Sequence, residues 1–151
     1  VLNVPLNAAD GTPVTVPADD LHGLAAQLAL DQPTADGGEF LLRGVVQTFR
    51  FYALDRRRRI AALALLATAP GLRYRGPAVD RAGRPGVAFT ITSGAYATGQ
   101  LEDLVIIDPT DGRLLDHEQI ALSFPPRVLA ASPATVSYTL ILAADTTDRM
   151  P

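Results

Sequence analysis

At 151 residues and a net charge of −3, the chain has room for one domain with a sizeable core, which excludes two full catalytic domains. The absence of cysteine excludes a disulfide framework, thiolate catalysis and zinc–thiolate sites. All 13 basic residues are Arg, and the longest apolar run, Ile60 to Ala69, is about half of the roughly 20 residues that span a bilayer.

The pattern predicts helices first and strands second. Short extended pieces, Val1 to Leu6 and Val14 to Val16, flank a turn at Asp10-Gly11-Thr12-Pro13. After Pro17, Asp19 and Asp20 favour a helix N-terminus, and Leu21, Leu24, Ala25 and Leu28 recur at helical spacing, so a first helix runs from about 18 to 30. Asp36 with Glu39 reads as a capping-box start for a second helix reaching about Tyr52. Asp55 caps a third, which ends near Thr68 before Pro70-Gly71. Its first turn is Arg56-Arg57-Arg58-Arg59, which opposes the helix dipole; four such residues sweep so much of the helix circumference that at least one must lean on protein or a partner.

From Leu72 onward the period changes to two. Strands are expected at 72–79, 87–92, 101–108, 113–124 and 134–144, joined in chain order as an antiparallel meander. Two turn sequences, Asp80-Arg81-Ala82-Gly83-Arg84-Pro85 and Pro109-Thr110-Asp111-Gly112, separate the first and third pairs. Leu104 to Ile107 is apolar on both faces, which predicts cover on both sides by helices or a partner. Tyr74 is expected to be buried with Leu72, opposite water-facing Arg73 and Arg75, and Val136, Tyr138, Leu140 and Leu142 share one face of the last strand. The fold class is α+β, with about three N-terminal helices packed on a mostly antiparallel meander of about five strands, and residues 1–151 form a single domain.

Charge is unevenly distributed. Between Arg56 and Arg84 lie eight Arg and the single acid Asp80, a local balance of +7, while the other five Arg face fifteen acids. Arg56, Arg57, Arg58, Arg59, Arg73, Arg75, Arg81 and Arg84 are therefore candidates for binding an anionic partner, a membrane or cell-wall surface, or a protein. The alternative is a solvated face balanced by acids folded nearby. Nucleic acid is not expected with a net acidic chain.

Catalytic chemistry has little to stand on. His22 and His117 are the only histidines, and no Gly-x-Ser-x-Gly elbow accompanies Ser93, Ser123, Ser132 or Ser137. In Asp116-His117-Glu118 the alternation of a strand turns His117 away from both carboxylates, so the three do not chelate together. Asp108 to Gly112 lacks the alternating ligands of a calcium loop, and no phosphate-binding glycine loop is present. No catalytic residue, metal ligand or cofactor is assigned.

The succession of a capped helix after Pro17, a helical pair, Pro70-Gly71-Leu72, Asp80-Arg81-Ala82-Gly83-Arg84-Pro85-Gly86-Val87-Ala88 and Asp108-Pro109-Thr110-Asp111-Gly112-Arg113-Leu114-Leu115 resembles the C-terminal extracytoplasmic part of a family of actinobacterial membrane-anchored proteins. Members are mostly uncharacterised and often encoded beside extracytoplasmic-function sigma factors. The resemblance covers about residues 14 to 145. It implies a membrane span upstream, an extracytoplasmic location and a sensory or binding role without catalytic residues, and the start at Val1 fits a piece of a longer protein. The four-Arg helix start and the ending Asp145 to Pro151, which lacks a Gly-rich tail, depart from the family pattern. The expected function is thus a non-enzymatic binding or sensory domain, with a structural interaction module or a hydrolase of dispersed residues as alternatives.

Overall fold

A computed structural model describes residues 16–31, 37–93 and 99–144. The pieces expected at Val1–Leu6 and around the Asp10 turn lie outside the described residues, as does Asp36. Three helices, α1 (Leu21–Asp31), α2 (Gly38–Phe51) and α3 (Arg56–Leu66), precede five strands, β1 (Arg73–Val79), β2 (Pro85–Thr92), β3 (Leu101–Ile107), β4 (Leu114–Ala121) and β5 (Ala134–Leu140). The strands form one antiparallel sheet in chain order, β1-β2-β3-β4-β5, the expected meander.

Local chemistry accounts for most boundaries. Asp20 starts α1 by accepting the Gly23 N–H at 2.9 Å, and Asp55 caps α3 by accepting the Arg58 N–H at 2.9 Å. The start of α2 differs from the capping box read at Asp36. Its N-cap is Gly37, at φ 125°, against which the Glu39 carboxylate folds back. Gly38 then sits so close to the Pro70 carbonyl that no side chain would fit. In the β1–β2 turn, Asp80 Oδ1 accepts the N–H groups of Ala82 and Arg84 at 2.9 and 2.8 Å. In the β3–β4 turn, Asp108 Oδ1 accepts both the N–H and the hydroxyl of Thr110.

The register sorts the sheet into two faces. Val87, Phe89 and Ile91 of β2, Val105 and Ile107 of β3 and Leu114 of β4 join Leu41, Leu42, Val45 and Phe49 of α2 and Ala62, Leu65 and Leu66 of α3 in the main core. Helix α2 is the element seated on the sheet, α3 lies beside it, and α1 packs on both helices. The opposite face carries Ala88, Thr90, Leu104, Ile106, Asp116, Glu118 and Tyr138, as alternation and the pairings Ile106–Asp116 and Glu118–Tyr138 require.

Two expectations are corrected here. Helices cover only one face of β3: Ile106, on the other, is buried by Ala88 and Leu115 with Ala78 and Leu104 beside it, so the sheet supplies its own cover. The second correction concerns β5. Tyr138 lies on the helix-free side and Val136 falls at the break in the β4–β5 register, so the apolar alternation does not meet the core and both are more than half exposed; Ile141, just past the strand, packs into the core instead.

Gly86 is the closest backbone approach on the helix-free face. A Cβ there would lie 2.6 Å from Ile106 Cγ2 and 2.9 Å from the Ile107 carbonyl oxygen. Gly86→Ala is expected to cost about 1–3 kcal/mol through overpacking, and Ile107→Ala about 2–5 kcal/mol through a cavity in the main core. Denaturant midpoints at unchanged m-value check both. A loss under about 1 kcal/mol for Ile107→Ala would contradict its burial.

Candidate functional site

The structure disperses the eight arginines instead of gathering them. Arg57 meets Asp19 at 3.3 Å, and Arg58 pairs with Asp55 while its Nε donates to the Pro17 carbonyl at 2.8 Å. Arg59 donates to the carbonyls of Asp111 and Leu54 at 3.0 and 2.6 Å, so two of the four-Arg run lean on protein as its geometry required. Arg84 fixes the Asp80 carboxylate and reaches the carbonyls of Ile141 and Leu115. Arg81 forks onto Glu118. Arg75 approaches Glu102 only at 3.9 Å, and Arg56 and Arg73 have no ion-pair partner among the described residues.

Arg113, absent from the sequence candidates, joins Arg59 and Arg84 around a cavity of about 160 Å³ at one end of the sheet. Asp108 and Asp111 line the same cavity, and Asp111 pairs with Arg113 at 3.0 Å. Positive charge at that end is therefore met by nearby carboxylates. The acids that balance the basic third come from elsewhere in the chain, as Asp19, Glu102 and Glu118 do.

The side of the sheet along β1 has a different character. Helix α3 stands off from β2 there and leaves an apolar cleft of about 220 Å³ walled by Leu63, Leu66, Val87, Phe89, Ile107 and Pro109. Tyr74 stacks on Phe89 at 5.5 Å between ring centroids, tilted by 54°, and is 61 % exposed, contrary to its expected burial. No helix covers β1, so Tyr74 has only Phe89 to lie against. Val79, at the far end of the strand, is also exposed. The strand breaks its pairing at a bulge between Tyr74 and Gly76, and Pro77 follows without an N–H, two features that discourage a further strand from adding along this edge. Arg73 and Arg75 leave the edge basic.

Two buried polar clusters occupy opposite faces. Under α2, Asp103 is fully buried and accepts from Arg43 Nη2 at 3.0 Å and Gln119 Nε2 at 3.2 Å, with His117 Nε2 2.9 Å away. Burial pushes the Asp103 carboxyl up, but hydrogen bonds from His117 and Arg43 outweigh it and hold the group below its ordinary value. His117 thus faces away from Asp116 and Glu118, as alternation required, and its ring is committed to Asp103. His22 is exposed on α1. Ser93 Oγ bonds the backbone of Leu101, and Ser123 Oγ accepts the Gln100 N–H, so neither lies against His117.

On the other face, the Asp80–Arg84 turn folds over β4. Arg81 Nε and Nη2 donate to Glu118 Oε1 and Oε2 at 2.7 and 3.0 Å, and its guanidinium lies 4.7 Å from the Tyr138 ring centre. Asp116 beneath is fully buried; neither of its oxygens has a hydrogen-bond partner of ordinary geometry, although the backbone N–H of Arg81 approaches the carboxyl. Among the described residues, no three His, Asp or Glu side chains are grouped so as to hold a metal ion. No known family model, curated protein or solved structure matches the chain.

The sequence could not reveal the Asp103 cluster, because Arg43 and Asp103 are 60 residues apart. Same-face parity of Asp116 and Glu118 was legible; what lies over them was not.

Asp103 makes a checkable contribution to acid stability. Its pKa is lower folded than unfolded, so its stabilisation is present above the unfolded aspartate range and is lost as pH falls through the folded value. Asp103→Asn is expected to cost about 1–3 kcal/mol near neutral pH by weakening the hydrogen bonds that Arg43, half-buried, and His117 make to the buried carboxylate, and to flatten the acid limb of stability against pH. Urea midpoints between pH 3 and 7 for both proteins measure this.

Proposed function

We propose that this chain is a non-enzymatic binding domain, the extracytoplasmic part of a membrane-anchored bacterial protein with a sensory role linked to sigma-factor signalling, and that it engages a partner protein along β1. The compartment and the sensory role rest on the family resemblance carried by the two turn motifs and Pro70-Gly71-Leu72. The observation that supports the binding surface is the helix-free flank at β1, where Tyr74 and Val79 are exposed beside an apolar cleft. Exposed apolar area next to a concavity is the usual mark of a docking site.

Chemistry specifies the partner further. An apolar side chain suits the cleft, and acidic neighbours suit Arg73, which has no ion-pair partner among the described residues, and Arg75, which is weakly paired. Backbone addition to the edge is disfavoured by Pro77 and the bulge, so side chains carry the contact.

Selection of the folded domain against a displayed random-peptide library tests the surface. The expected outcome is enrichment of peptides that combine apolar and acidic residues, with binding weakened at least about tenfold, or about 1.4 kcal/mol, by Tyr74→Ala and by Ala67→Phe, which fills the cleft. Binding should also weaken from 0.05 to 0.5 M salt, as the Debye length falls from about 14 to about 4 Å. Peptides that bind both variants as they bind the parent overturn the surface, and cosedimentation with anionic vesicles that is lost on changing Arg57 and Arg58 to Gln favours an anionic surface instead. Location is tested separately: Leu129→Cys in the native protein adds an exposed thiol away from β1, expected to raise labelling by an impermeant maleimide in intact cells above that of the parent. Labelling only after lysis refutes an extracytoplasmic location.

A further inference from the structure

The helix-free face holds three carboxyl groups and two guanidinium groups in one cluster. From the β1–β2 turn come Asp80, Arg81 and Arg84; from β4 come Asp116 and Glu118; β5 contributes Tyr138 and the Thr135 hydroxyl, which donates to Glu118 at 3.0 Å. From β2 and β3, the residues beside Asp116 on this face are Ala88 and Ile106, which do not titrate. With every acid ionised, the cluster carries one uncompensated negative charge.

Hydrogen bonding decides which acid keeps a proton. Asp80 accepts two backbone N–H groups and the Arg84 guanidinium. Glu118 accepts both arms of Arg81 and the Thr135 hydroxyl. Asp116, fully buried between them, makes no hydrogen bond of ordinary geometry, and the donor that approaches it is the backbone N–H of Arg81. An ionised carboxylate buried without hydrogen bonds is costly, whereas the neutral acid removes the excess charge and gains a donor to direct at Glu118 on the same face.

We propose that Asp116 is a proton-binding site that latches the β1–β2 turn onto the sheet: the turn is held while Asp116 carries its proton and is released when that proton passes to solvent. Burial, with the negative charges of Glu118 and Asp80, pushes the Asp116 carboxyl up, against the pull of Arg81. The proton-bound state has two carboxylates facing two guanidinium groups. Its loss leaves a buried carboxylate repelled by Glu118 and by Asp80 of the turn, which attraction to Arg81 only partly offsets, so lifting the turn to hydrate Asp116 relieves the cost. The sign is opposite to that of Asp103. A raised folded-state pKa gives stability at low pH that is lost as pH rises through the folded value. The device does not depend on the docking surface proposed for β1.

Carboxyl carbon NMR across pH 3 to 9, with amide hydrogen exchange corrected for intrinsic rate, tests it. One aspartate carboxyl, lost in Asp116→Asn, is expected to titrate above the ordinary aspartate range. The Ala82 and Arg84 amides, which are bonded to Asp80, are expected to lose at least about tenfold in protection over that same interval, and Asp116→Asn to abolish this pH dependence. An Asp116 carboxyl that titrates in the ordinary range overturns the proposal using the parent protein alone, whatever the variant does. Equal pH dependence of turn protection in parent and variant overturns it as well.

Discussion

The way α2 sits on the sheet governs the rest of the molecule. One 14-residue helix packs on the helix-covered face of the sheet with Leu41, Leu42, Val45 and Phe49, and the neighbouring helices pack against it. Helix α3 packs on α2 and stands off from β2, so the apolar cleft is a consequence of where α2 lies. The outer strands then receive no helical cover. That limitation explains the exposure of Tyr74 on β1, while on the opposite face, where no helix lies, Tyr138 stays exposed and Ile106 is buried by residues of the sheet itself.

Arginine does much of the joining between elements. A guanidinium can divide its donors between a carboxylate and backbone carbonyls, which an ammonium group does less well. Arg58 connects the start of α3 to the segment before α1, Arg59 connects α3 to the β3–β4 turn, and Arg84 connects the β1–β2 turn to β4 and to the chain beyond β5. A run that looks like a polycation in the sequence is therefore used largely as structural cross-linking. Arg56 and Arg73 remain outside this scheme, and the basic edge at β1 is what remains for recognition.

Asp103 and Asp116 show how surroundings separate two equally buried carboxyl groups. They lie on adjacent strands and on opposite faces of one sheet, and both are shielded from water. Asp103 meets Arg43, His117 and Gln119 and stays ionised. Asp116 meets acids on either side and makes no hydrogen bond of ordinary geometry, so burial and like charge push its carboxyl up. The shifts have opposite sign, so acidification is expected to remove stabilisation contributed by the first and to preserve that of the second.

The sequence by itself determined the elements, their order and their turns, because those depend on chemistry within a few residues. Asp80 with Gly83, Asp108 with Gly112, and Asp55 before the Arg run each satisfy backbone groups locally, and short links between alternating segments leave a meander as the simplest sheet. It also determined that His117 faces away from Asp116 and Glu118, since strand alternation is a local rule. Only the tertiary structure decided which surfaces are covered. Tyr74 reads as buried from its alternation with Arg73 and Arg75, yet burial needs a second layer, and the position of α2 withholds one. The fates of Asp103 and Asp116 likewise depended on side chains brought from other elements, because the free energy of a buried charge is set by what surrounds it in space.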